Sequence, residues 1–259
     1  MPDKVTAPKI RAMKGREPIV CVTAYDAAFG EIVDEAGVDI VLVGDSVGNV
    51  CLGYPNTLPV TMSDMVHHTA AAARGVKRAL LVADMPFGSY QASPAQAVDS
   101  AIALVKAGAE AVKLEGPFIG AIRAILAAGV PVMGHLGLTP QSIHAFGGFR
   151  IQGKGEHAKV LCRQAHELEE AGVFSAVLEL MPAAVAKDLT ESVGYPTIGI
   201  GAGPDCDGQV QVLHDLLGFS TTVFKHARRY LDGREQIQRA IEEFAGDVRK
   251  GSFEPGSGA

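Results

Sequence analysis

The segment AGVDIVLVGD, residues 36–45, sets the pattern for the whole chain. It reads as a helix end, a glycine turn, a buried strand and an acid at the strand exit. The same phrase returns as AGAEAVKLEG (107–116), AGVPVMGHLG (128–137) and AGVFSAVLEL (171–180). Strands that are apolar along most of their length belong to a parallel sheet covered by helices, because such strands are buried on both faces. Working outward from these, short β-rich runs fall at 19–24, 40–43, 79–83, 111–114, 130–134, 176–180 and 197–200, with a weaker eighth at 221–224. Ala-rich stretches of helical period follow them at 27–36, 63–74, 94–107, 119–128, 156–171, 182–193 and 208–217. Ser63 and Ser93 are placed to N-cap two of these, with Pro94 at a first helical position. Gly37, Gly108, Gly129 and Gly172 are placed to end theirs. A last helix is expected over 234–250, before a polar tail that frays from about 251.

About eight such units in 259 residues predict one (β/α)8-barrel domain over 1–259 with a short N-terminal extension. The rival is an open doubly wound sheet, whose marker is a G-x-G-x-x-G after the first strand. Here the first strand ends Thr23-Ala24-Tyr25-Asp26. The glycine cluster Gly199-Ile200-Gly201-Ala202-Gly203-Pro204 comes late and puts Pro204 where the third glycine belongs. A net charge of −6 without a basic cluster argues against nucleic acid or an anionic membrane as the main partner. No apolar run reaches bilayer length, and MPDKVTAPKIRAMKG lacks the apolar middle of a secretory signal. Cys21, Cys51, Cys162 and Cys206 are scattered without C-x-x-C spacing and read as free intracellular thiols. A soluble cytoplasmic protein is expected.

The long connection 136–155, LGLTPQSIHAFGGFRIQGKG, has no clear helix or strand and follows a strand's C-terminal end. In a barrel that is the catalytic side, so this segment, which carries Leu, Ile and two Phe, is expected to be an ordered lid.

The acids supply the chemistry. Asp45 follows VLVG, Asp84 follows LLVA, Glu115 follows VKL and Glu179 lies in AVLELMP. Strand ends of a barrel converge on one mouth. Carboxylates meeting there repel one another unless a cation compensates them, and an all-oxygen donor set points to Mg2+ rather than zinc. Taken singly, each acid could equally be a helix cap or a salt-bridge partner. Lys113 lies two residues before Glu115, so both point to one side of their strand. A lysine among apolar residues is either a charged clamp for a substrate carboxylate or a Schiff-base nucleophile, and a plain ion pair is the bland alternative. His135, closing VPVMGH, is placed to bind substrate or move a proton, or is structural. His67 and His68 sit mid-helix and read as surface or interface residues. Gly199 to Gly203 fits either a phosphate-binding loop or a close backbone approach.

The collected segments resemble the ketopantoate hydroxymethyltransferase family. They are VTAYDAAFG (22–30), VLVGDSVGNVCLGYPNTLPVTMSDMVHHTAAAARG (41–75), LLVADMPFGSY (80–90), AVKLEG (111–116), PVMGHLGLTPQSIHAFGGFRIQGKG (131–155), VLELMP (177–182) and PTIGIGAGPDCDGQVQVLHDLLG (196–218). The resemblance implies a barrel of the phosphoenolpyruvate/pyruvate superfamily, assembled as a homo-oligomer, typically a decamer in bacteria. It implies transfer of the one-carbon unit of 5,10-methylenetetrahydrofolate to 3-methyl-2-oxobutanoate, giving 2-dehydropantoate in pantothenate biosynthesis. By matching motifs it places Mg2+ at Asp45 and Asp84, with Glu115 completing the acidic shell directly or through water. Asp45, Ser46, Asp84 and Lys113 fall at substrate-contact positions, Glu179 at that of the catalytic base, and His135 at that of the active-site histidine. Two stretches depart from the family pattern: Pro204-Asp205-Cys206 within the glycine loop, and Phe224-Lys225-His226 where members often read PKF.

The chemistry expected on this basis is enolisation beside a ketone, with Mg2+ taking up developing charge and Lys113 pairing the substrate carboxylate or enolate oxygen. Glu179, flanked by Val177, Leu178 and Leu180, is expected to be partly desolvated, and the folate to bind above the keto acid under 136–155. A C–C lyase of the same superfamily is the nearest rival, although its K-K-C-G-H motif is absent. A non-catalytic barrel is the rival from another class.

Overall fold

The structure, a computed structural model, describes residues 3–220 and 227–254. Eight parallel strands close a barrel in sequence order. They are β1 Ile19–Thr23, β2 Ile40–Val43, β3 Leu80–Asp84, β4 Ala111–Lys113, β5 Val132–Gly137, β6 Ser175–Glu179, β7 Thr197–Ile200 and β8 Gly208–Gln211. The helices are α1 Ala7–Ala12, α2 Ala27–Glu35, α3 Val47–Val50, α4 Met62–Gly75, α5 Pro94–Lys106, α6 Ile119–Ala127, α7 Ile143–Phe146, α8 His157–Ala171, α9 Ala183–Ser192, α10 Leu213–Leu216 and α11 Gly233–Lys250. Two compact units result, residues 1–212 and 213–259. The first holds all eight strands; in the second, α11 exposes Ile237, Ile241, Phe244 and Val248 along one face.

Seven strands and seven of the predicted helices stand within a few residues of their expected places. The helix predicted over 208–217 does not form as such. Residues 208–211 are instead β8, paired with β1 through Ile19–Gly208 and Cys21–Val210, and only Leu213–Leu216 coils. The reason is tertiary. Gly208 lies so close to β1 that an added Cβ would come 2.3 Å from the Ile19 carbonyl oxygen. Asp207 pins the short crossover from β7, accepting from Thr197 N at 2.8 Å, Lys14 Nζ at 2.8 Å and Gly15 N at 3.1 Å. The strand expected at 221–224 lies outside the described residues.

Capping is mostly as read, with one correction. Ser93 caps α5 by accepting from Gln96 N, but α4 starts earlier than expected and is capped by Thr61, whose hydroxyl and the Asp64 carboxylate form a reciprocal box. Gly37, Gly108, Gly129 and Gly172 each take a positive φ of 85–112° at a helix end. The segment expected to be irregular contains a 3-10 turn, Pro140–Ser142, followed directly by α7. The N-terminal α1 was not expected. Its Ile10 and Ala7, with Val5, join the inward apolar residues at the strand starts, and so floor the barrel opposite its mouth.

One brace from helix to strand is carried by a buried carboxylate. Asp34 on α2 accepts from the backbone N–H of Lys77, Arg78 and Ala79 at 2.6–3.1 Å, fixing the turn into β3. Burial opposes the Asp34 charge, but these bonds and the Arg78 guanidinium outweigh it and hold the carboxyl below the usual carboxylate range. Asp34→Ala orphans three backbone donors and is expected to cost about 2–4 kcal/mol, read as a lower urea midpoint. A carboxyl whose folded pKa is depressed contributes stability that is complete above its unfolded value of about 4 and is lost as pH falls through the folded one. Asp34→Asn is therefore expected to flatten the loss of stability on acidification below about pH 4.

Candidate active site

The side chains at the barrel mouth continue the alternation that fills its interior. Leu80 and Val82 of β3 lead to Asp84; Ala111 of β4 leads to Lys113 and Glu115; Met133 of β5 leads to His135; Val177 of β6 leads to Glu179. With a period of two, an inward apolar residue low on a strand places an inward polar residue at its top. Gly44 leaves the space above β2 empty: a Cβ there would sit 2.7 Å from Ser46 Oγ and 3.5 Å from Asp84 Oδ2.

These groups form one contact network. Lys113 Nζ lies 2.8 Å from Asp84 Oδ1, a charge contact rather than a well-directed hydrogen bond, since Oδ1 has no aligned donor. Asp84 Oδ2 accepts from Asp45 N at 3.0 Å. Lys113 Nζ is also 3.4 Å from His135 Nδ1. On its other side, His135 Nε2 lies 3.2 Å from Glu179 Oε2. Glu115 Oε1 stands 3.7 Å from His135 Nδ1. Asp45, Asp84, Lys113 and Glu115 are 4–5 % exposed and His135 2 %, so water screens little of this charge.

The electrostatics follow from that burial. Desolvation, reinforced by the Asp84 charge, pushes the Asp45 carboxyl up to about 7 against the pull of Lys113 and a hydrogen bond from Gln141. Glu115 is raised well above the usual range by burial and by Asp45. Burial alone would lower Lys113, yet Asp84, Glu115 and Asp45 hold its ammonium proton more tightly than usual. Burial and the neighbouring Lys113 charge lower His135, so its ring is neutral near pH 7. An ammonium cannot accept, so Nδ1 takes the acceptor role toward Lys113 and Nε2 carries the proton that faces Glu179. Three buried carboxylates thus face one lysine, and an all-oxygen donor set with surplus negative charge fits a hard divalent cation. Among the described residues, no group of three acidic, His or Cys side chains is already drawn together as a cage.

Glu179 is placed by unusual backbone. The next residue, Leu180, is the one non-glycine residue with positive φ among the described residues, at 47°. It is fixed by Leu180 N donating to the Ile200 carbonyl and its own carbonyl accepting from Gln152 N, both 2.9 Å. Across the sheet, Gly137 (φ 96°) lets β5 approach so closely that a Cβ would meet the Glu179 carbonyl oxygen at 2.1 Å. Gly137→Ala is therefore expected to displace Glu179. It should lower kcat by about 100-fold or more, as a misplacement of about 1 Å does, and leave the eight strands intact by circular dichroism. Wild-type kcat in that variant would show that the approach is not needed.

Ser46, at the start of α3, shares a 2.8 Å hydrogen bond with Tyr25 Oη, and His68 Nδ1 is 2.8 Å from the Tyr25 carbonyl. His68 therefore has an internal partner, while His67 is exposed and meets it edge to face. In the glycine loop the close-approach reading has the better geometry. A Cβ on Gly203 would come within 2.5 Å of Ala183 Cβ, and one on Gly199 within 3.0 Å of Cys206 Sγ. All four cysteines are free thiols. Sequence reasoning missed Tyr25, Tyr90 and Gln141, which touch the network but lie outside any apolar-to-acid pattern.

A family profile described as ketopantoate hydroxymethyltransferase matches residues 4–256. The chain belongs to that family. It is 56 % identical to 3-methyl-2-oxobutanoate hydroxymethyltransferase of Ignicoccus hospitalis, covering 98 % of each chain. It is 54 % identical to the Aeropyrum pernix protein of that name (97 % and 93 % covered) and 51 % identical to the Thermotoga maritima one (95 % and 92 %). The chain is accordingly an enzyme of the transferase class. Among solved structures it is similar to phosphonopyruvate hydrolase complexed with oxalate and Mg2+, at TM-score 0.64 and 16 % identity over 97 % of this chain and 90 % of that one. It is also similar to 2,3-dimethylmalate lyase of the PEP mutase/isocitrate lyase superfamily, at TM-score 0.62 and 14 % identity over 98 % and 91 %. These likenesses concern the fold, the closed barrel of eight parallel strands. No helix among the described residues is long and apolar enough to cross a membrane.

Proposed function

We propose that the chain transfers a hydroxymethyl group from 5,10-methylenetetrahydrofolate to 3-methyl-2-oxobutanoate, giving 2-dehydropantoate for pantothenate biosynthesis, through an enolate of the keto acid. The observation that carries this reading is the opposed pair at the mouth: Glu179 braced by a neutral His135, facing a Lys113 held cationic by Asp84.

Glu179 is the base for the C3 proton. His135 Nε2 lies 3.2 Å from its carboxylate and keeps it aimed by contact. Lys113 presents its ammonium to the substrate carboxylate or the enolate oxygen. Its retained proton favours this clamp over a Schiff-base role, which needs the free amine. The Ser46 hydroxyl, backed by Tyr25, contacts the substrate carboxylate. Asp45 and Asp84 would hold Mg2+. Glu115, one of whose carboxylate oxygens already accepts from Gln141 N, would complete that shell directly or through water. When bound, the ion supplies a Lewis acid that draws electron density from the keto-acid oxygens. A cleft of about 280 Å³, lined by Phe87, Phe118, Phe146, Glu115 and Gln141, offers aromatic side chains beside the acids for the folate, under the 136–155 lid.

Incubation with both substrates, with and without Mg2+, tests the reading. Formation of 2-dehydropantoate that EDTA abolishes is expected. No product under either condition overturns the reaction, and EDTA-resistant activity trapped by borohydride would make Lys113 a Schiff-base residue. A cytoplasmic homo-oligomer, up to a decamer, completes the proposal, with the exposed apolar face of α11 offering contact surface.

A further inference from the structure

Gln141 is a buried amide whose polar atoms are all engaged, and it links the segment after β5 to two of the mouth carboxylates. It is 6 % exposed. Its backbone N–H donates to Glu115 Oε2 at 2.9 Å. Its Nε2 donates to Asp45 Oδ2 at 2.9 Å and to the Met85 carbonyl at 3.0 Å. Its Oε1 accepts from Tyr90 Oη at 2.7 Å and from Gln91 Nε2 at 3.2 Å.

These partners fix which way the amide faces. The Met85 carbonyl can only accept, as does Asp45 when ionised, so a reversed amide would set an oxygen against two acceptors. Tyr90 enforces the same choice from the other end. Its hydroxyl accepts from Glu115 N at 3.2 Å, and of the two acceptors its proton can reach, Gln141 Oε1 at 2.7 Å is nearer than the Glu115 carbonyl at 3.3 Å. Bonds thus run in one sense, from Glu115 N through Tyr90 and Gln141 to Asp45. Linked bonds of this kind polarise one another in a low-dielectric interior.

A carboxylate on a strand end can rotate about its last torsion, where the energy wells are broad. The donor from Gln141 to Oδ2 sets the plane of Asp45 and hence the direction of Oδ1. We propose that Gln141 is a positioning residue. Through Tyr90 and Met85 it presets the Asp45 carboxylate, and it makes the seating of the 3-10 turn Pro140–Ser142 a condition for a competent acid cluster. This rests on the reading of Asp45 as a group that faces the divalent cation and the keto acid.

The test compares the unsubstituted enzyme with Gln141→Met, Tyr90→Phe and the double variant. Binding of Mn2+ alone is followed by electron paramagnetic resonance, kcat and KM for the keto acid by turnover, and stability by thermal melting. Loss of an outer partner of a metal-facing group weakens affinity or activity by about 10–100-fold, which is the change expected for Gln141→Met in both Mn2+ affinity and kcat. Tyr90→Phe, which frees the amide without removing it, is expected to shift both the same way by less. Tyr90 also holds the Glu115 backbone, but its hold on Asp45 runs through Gln141, so its substitution should weaken Mn2+ binding less in the Gln141→Met background than alone. Unchanged Mn2+ affinity and kcat with only a lower melting temperature overturns the inference, as do independent, multiplying effects. So does an unsubstituted enzyme that binds no Mn2+. If Gln141→Met does not fold, Tyr90→Phe decides alone, and unchanged Mn2+ affinity there overturns the inference. Absence of 2-dehydropantoate with Mn2+ binding intact strikes the proposed reaction instead and leaves the comparison of affinities standing.

Discussion

Glu179→Gln is expected to slow exchange of the C3 proton of 3-methyl-2-oxobutanoate into D2O by about 10²–10⁴-fold, the usual contribution of a positioned base. Glutamine keeps the size and planarity of the side chain and can still meet His135 Nε2–H through its oxygen. The backbone that aims residue 179, set by Leu180 and Gly137, does not depend on the side chain. Keto-acid and divalent-cation binding should therefore stay close to those of the unsubstituted enzyme, so that the loss appears in kcat rather than in KM. The exchange assay needs no folate and isolates proton removal from one-carbon transfer. Unchanged exchange removes Glu179 from the role of base and directs attention to His135, the other titratable group in contact with it.

Lys113→Met is expected to be nearly as damaging to activity and more damaging to the fold. Methionine can occupy the aliphatic stem's place among apolar neighbours, but it leaves Asp84 buried without its cation. Removing one partner of a buried pair costs about 3–5 kcal/mol, because the remaining charge is stranded. Asp45 and Glu115 also lose the cation that opposes their mutual repulsion, so each should hold its proton to higher pH. Urea midpoints measured without metal check the first effect. Adding Asp84→Asn should recover much of the lost stability and none of the activity, since it removes the stranded charge but not the need for a clamp. A single variant as stable as the parent would show that the pair contributes nothing to folding.

The fold was legible wherever a local rule and the tertiary structure agree. Strands β2 and β7 match their expected bounds because their apolar runs are framed by turn residues on both sides. The period of two also carried the reading from Lys113 to Glu115, and it brought the acids to one mouth. β8 was misread because Gly208, Gln209 and Gln211 have little strand character of their own; it is a strand because β1 and β7 flank it. The starts of helices were least legible where two capping candidates compete, as Thr61 and Ser63 do before α4. At the site, the titratable residues could be found from position alone. Tyr25, Tyr90 and Gln141 could not, since a neutral polar residue in a loop gives no sign of what it will touch. The left-handed Leu180 is illegible for the same reason: nothing in leucine asks for that conformation, and it is imposed by bonds from Ile200 and Gln152. Roles within the cluster, and the nature of the ligand, came from the family resemblance.

The seam between β1 and β8 bears on how the molecule comes to exist. It joins Ile19 to Gly208, so the first strand waits for nearly the whole of the barrel chain before its second edge is covered. Contacts between residues so distant in sequence slow folding, because the chain is ordered over a long loop before they form. The floor of the barrel is subject to the same delay: Arg11 Nη1 reaches the Val173 carbonyl, and Lys14 reaches both Thr190 and Asp207. Until that seam zips, β1 and β8 each lack a neighbour and the barrel is not closed. Catalytic competence should then appear only in the last kinetic phase of refolding, together with the N-terminal helix.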